Sequence, residues 1–133
     1  LDPLFVYLMI AAKQARNPSL GGCYNVGPKE ADCISAGQLA ELFCRFWQEG
    51  QEWMSPEPKT GGMKPHEANF LKLDCSKLAS VFGWQPVWNI GAAVEKTVEW
   101  AKAVRDGRDA QTCTRQQLRA FLEDAKKGGN DYV

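Results

Sequence analysis

The chain has 133 residues, about one domain's length, and 44% of them are hydrophobic, with five Trp and six Phe; that much apolar material argues for a packed core and against disorder. Sixteen basic residues balance sixteen acidic ones, which removes the electrostatic reason to expect a nucleic acid or an anionic membrane as partner, while leaving room for a local basic pocket. No apolar run reaches the roughly 20 residues of a membrane span, and the five cysteines form no C-x-x-C pair, so they carry no zinc-site spacing and suit a reducing, cytoplasmic setting.

The first predicted element is a helix over Asp2–Arg16, with Leu4, Leu8, Ala11, Ala12 and Ala15 on one face, Asp2-Pro3 at its entry and Asn17-Pro18 at its exit. Its charge order, acidic before the apolar run and basic after it, is wrong for a signal peptide. With no initiator Met and an abrupt start, the sequence reads as a fragment of something longer. Gly21-Gly22 is a turn, and residues 23–26 form a short strand ended by Gly27-Pro28. Ser35 and Gln38 make a capping box for a second helix running to about Glu49. Leu39, Leu42, Phe43, Phe46 and Trp47 form its stripe, and Gly50 closes it. Residues 51–55 read as an extended piece and residues 56–64, PEPKTGGMK, as a surface loop.

Residues 65–86, PHEANFLKLDCSKLASVFGWQP, hold a strand signal, a helix signal and a stop. Residues 68–73 partly alternate as a strand does. Asp74 or Ser76 can cap the helical turn that follows, on which Leu78, Val81 and Phe82 recur. Gly83 suits a left-handed helix end with Trp84 folded back on it, and Pro86 prevents resumption. Asn89 caps a third long helix whose face is Ile90, Ala93, Val94, Thr97, Val98, Ala101 and Val104; Asp106-Gly107 ends it. Thr114 and Gln117 read as a second capping box, with Leu118, Phe121, Leu122 and Ala125 as the last helix's stripe and Gly128-Gly129 as its stop. The sum is an α/β chain, mostly helical, with about four main helices and two or three short strands. So few strands are more comfortable joined to strands from elsewhere.

Chemistry-bearing patterns are few. There is no G-x-G-x-x-G to cradle a pyrophosphate, and no Tyr-x-x-x-Lys pair. Lys64, His66 and Glu67 cluster at a loop-to-strand junction; Lys64 can neutralise a phosphate and Glu67 can accept from ribose hydroxyls. Taken alone, the cluster reads as a solvated polar turn. Asp74 and Lys77 read as a helix cap and an exposed first-turn lysine rather than an acid–base pair. Trp84, Trp88 and Trp100 read as core packing rather than a stacking platform. Asn25 is open between facing a ligand and serving as a satisfied strand-end amide.

Asp74-x-x-Lys77, then Gly83-Trp84-x-Pro86, resembles the carboxy-terminal lobe of the extended short-chain dehydrogenase/reductases. His66-Glu67-Ala68 ahead of Leu71-Lys72-Leu73-Asp74, Trp88-Asn89 and the Thr114-x-x-Gln117 tail are similar to the CDP-glucose 4,6-dehydratases in particular. The resemblance covers nearly the whole chain. It implies that residues 1–133 are a single substrate-binding lobe, without the N-terminal Rossmann domain that binds NAD and carries Tyr-x-x-x-Lys in such enzymes. It implies a parent lyase that oxidises the sugar of CDP-glucose at C4, eliminates water across C5 and C6 and returns the hydride to C6, the nicotinamide doing the redox chemistry. Lys64, His66 and Glu67 would then touch the nucleotide or its phosphates, Lys64 standing where related enzymes carry Arg. The implied partners are the nucleotide-sugar, the Rossmann domain and a second copy of the parent in a homodimer; no catalytic residue and no metal ligand fall in the chain. Two rival readings are the same lobe of another nucleotide-sugar epimerase or dehydratase, and a non-enzymatic helical interaction module.

Overall fold

The computed structural model describes residues 1–54 and 72–129. Five α-helices run in chain order: α1 (Asp2–Arg16), α2 (Ala36–Trp47), α3 (Ser76–Phe82), α4 (Ile90–Arg105) and α5 (Ala110–Lys127), with 3-10 turns at Pro18–Leu20 and Glu30–Asp32. No helix among the described residues is long and apolar enough to cross a membrane.

Local chemistry sets most of the boundaries. The Ser35 hydroxyl accepts from the Gln38 N–H while the Gln38 side chain accepts from the Ser35 N–H, so the capping box that starts α2 is formed at both ends. Asn89 Oδ1 accepts from the Ala92 N–H at 2.8 Å and starts α4. Asp74 Oδ1 accepts from the Ser76 N–H at 2.9 Å ahead of α3, and Gly83 closes that helix with φ of 67°. α2 ends two residues earlier than the sequence suggests, because Gln48 takes the left-handed conformation at φ of 59°.

α2 and α4 pack in parallel. Asp32, just before α2, accepts from the Ile90 N–H at the start of α4. Glu49, just after α2, takes both terminal nitrogens of Arg105 at 2.7 and 2.9 Å at the end of α4. Lys102 and Arg105 lie over the Trp47 ring at the same corner. Leu42, Val94 and Val98 form the core between them. α5 runs back along α4, joined by the Trp100 N–H to Thr114, the Gln117 amide to the Lys96 carbonyl and the Trp88 N–H to Asp124. A second core, Val6, Met9, Leu78, Phe82 and Trp84, joins α1 to α3. The aromatic contacts Phe5–Phe121 and Trp88–Phe121 tie it to α5.

Three sequence expectations change. Among the described residues there is no strand: residues 23–29, 51–54 and 72–75 have no regular structure. An extended segment becomes a strand only when a neighbour pairs its N–H and C=O groups. The expected strand over residues 68–73 lies largely outside the described residues. The buried face of α1 is Val6 and Met9, not Leu4, Leu8, Ala11, Ala12 and Ala15, which all face outward. The charges explain the reversal. Asp2 and Lys13 belong to the packed side because Asp2 Oδ1 accepts from the Val87 N–H at 2.7 Å and Lys13 lies over the Phe82 ring. Finally, α5 begins a turn earlier than Thr114. Asp109 caps it by accepting from the Thr112 N–H at 2.7 Å, and the Thr114 hydroxyl donates to the Ala110 carbonyl inside the helix.

Candidate functional site

A cleft of about 430 Å³ opens between the segment before α2 and the segment around α3; Gly27, Lys29 and Glu30 line one wall and Lys72, Asp74 and Trp84 the other. Its size falls in the range of small-molecule pockets.

Short cross-links tie the two segments together. The Asn25 amide donates to the Asp74 carbonyl at 3.0 Å. Lys77 Nζ donates to the Cys23 carbonyl at 3.1 Å and lies 4.7 Å over the Tyr24 ring. The Tyr24 hydroxyl donates to the Leu20 carbonyl, and its ring meets Phe82 edge-on at 5.1 Å. A methyl group at Gly27 would stand 3.2 Å from Cys75 Sγ, so a residue without a side chain is what lets the two walls approach here. Thus residues 23–27 and 73–77 lie against each other, joined through side chains.

The charges at the mouth are mixed. Lys72 Nζ reaches Glu30 Oε1 at 3.0 Å across the two walls. Hydrogen bonds from Ser76, backbone first, hold the Asp74 carboxyl below its ordinary range. Burial, and then the neighbouring Asp74 charge, push the Cys75 thiol up, which makes it a poor nucleophile. Cys75 and Cys33 both line the cleft, and all five cysteines are free. The Trp84 indole N–H is buried and has no acceptor among the described residues.

Lys64, His66 and Glu67, the substrate-contacting residues expected from the sequence, lie outside the described residues. Asn25 is the satisfied amide of the two readings left open for it. Asp74 accepts from the N–H of Ser76, the first residue of α3, but the N-cap position itself is Cys75 and carries no side-chain cap; Lys77 is the exposed first-turn lysine expected, and it also donates to the Cys23 carbonyl. Trp84 is buried, as core packing requires, and Trp88 is half-buried against Phe121, while Trp100 stays at the surface and donates to Thr114. Sequence reasoning missed the Glu30–Lys72 bridge. Its partners are 42 residues apart, and no local spacing announces such a pair. Among the described residues no group of three or more His, Cys, Asp or Glu is arranged to hold a metal ion. The glycines with positive φ, such as Gly50, Gly83 and Gly107, follow helices instead of preceding them.

Across 92% of its length, this chain is 28% identical over 123 residues to a curated enzyme of Salmonella typhimurium (strain LT2). The chain is similar to CDP-glucose 4,6-dehydratase. That is the family to which the His66–Ala68 motif, Trp88-Asn89 and the Thr114-x-x-Gln117 tail point, and the likeness extends well beyond them. The chain spans about a third of the length of this curated relative, the match covering 33% of it. No family model matches the chain.

Proposed function

We propose that this chain is the nucleotide-sugar-binding lobe of a cytoplasmic CDP-glucose 4,6-dehydratase-like lyase. The similarity over 92% of the chain carries the reading. The cleft adds support, because Lys72 enters it directly after the stretch that holds His66-Glu67-Ala68. In this reading Lys64, His66 and Glu67 contact the nucleotide and its phosphates. In the same reading NAD and the Tyr-x-x-x-Lys acid–base pair are supplied by a Rossmann domain outside this chain, which spans 33% of the relative. The lobe supplies binding and orientation, and the nicotinamide held by the other domain supplies the hydride chemistry.

The decisive experiment is calorimetric titration of the chain with CDP, UDP, GDP and dTDP, followed by Lys64→Ala, His66→Ala and Glu67→Gln variants. Preferential binding of CDP that each variant weakens supports the reading. Tight binding of another diphosphate with no response to CDP would transfer the lobe to a different nucleotide-sugar enzyme.

One observation favours a protein partner as well. The outward face of α1, with Leu4 at 64% and Leu8 at 72% exposure beside Tyr7, Ala11, Ala12 and Ala15, carries no charge. A helix apolar on both faces is normally covered on both. A Rossmann domain against α1 accounts for that face within the same reading; a non-enzymatic interaction module accounts for it without the cleft.

A further inference from the structure

We draw no further inference here: the strongest candidate, the Trp84 indole N–H in the lining of the cleft beside α3, without an acceptor among the described residues, belongs to the site already described, and its nitrogen is buried with nothing in the structure to show it turned toward a ligand.

Discussion

Single side chains here work mostly at the ends of helices. Ser35→Ala removes the hydroxyl that accepts from the Gln38 N–H and should cost about 1 kcal/mol, read as a lower urea midpoint at unchanged slope. Asp2→Ala strands the Val87 N–H in a half-buried position and should cost about 1–3 kcal/mol; Asp2→Asn, which keeps an oxygen there, should recover most of it. Four carboxylates among the described residues give the pH dependence, and the hydrogen bonds of Arg105 hold one of them, Glu49, below its ordinary range. Asp124 is held below its ordinary range by the Trp88 indole N–H and then by Lys127, Asp109 by hydrogen bonds from Thr112, and Asp74 by those from Ser76. A carboxylate with a depressed folded pKa stabilises the fold at pH values above its unfolded pKa, near 3.9 for Asp. That contribution is lost as pH falls through the folded value. Stability should therefore be flat near neutrality and fall on acidification below roughly pH 4.5. Asp124→Asn should make that acid limb shallower in melts taken from pH 7 downward.

Among the elements, α1 carries the sharpest test, because residue pattern and structure disagree over which face packs. Met9 belongs to the buried core, whereas Leu8 is 72% exposed. Met9→Ala should cost about 2–5 kcal/mol, and Leu8→Ala should stay within about 0.5 kcal/mol in the isolated chain. Equal losses would restore the face that the sequence suggests. If α1 docks on a further domain, Leu8→Asp should leave the isolated chain's melting unchanged and weaken association with that domain, read by pull-down or sedimentation. The start of α5 makes a related point. A Thr three residues before a Gln satisfies the capping pattern, yet Asp109 sits one turn earlier with its own acceptor, and the helix begins there. Thr114 then serves the α4–α5 contact, receiving the Trp100 N–H at 3.0 Å.

For the whole molecule, the proposed function makes the two cores and the cleft between the Gly27 and Asp74 segments a binding lobe rather than a complete reaction site. The 133-residue chain should bind a nucleotide diphosphate without converting CDP-glucose, since it holds neither G-x-G-x-x-G nor Tyr-x-x-x-Lys. Ultraviolet detection of the 4-keto-6-deoxy product from the purified chain would refute this. Co-expression with a domain that carries those motifs is the arrangement in which turnover is expected.

Helix existence, the Ser35 and Asn89 caps, the Gly83 stop and the family resemblance were all legible in the residues, because each depends on neighbours within a few positions. The packed face of α1, the true start of α5, the side-chain cross-links of Asn25 and Lys77 and the Glu30–Lys72 bridge were not. Each of these is decided by a partner far along the chain: Val87 for Asp2, Trp100 for Thr114, Asp74 for Asn25, Glu30 for Lys72. The strand read over residues 23–26 is not formed among the described residues, since an extended segment has no ladder until another segment supplies one. Short-range order comes from local hydrogen bonding and periodicity, whereas faces, bridges and clefts exist only once the chain has folded back on itself.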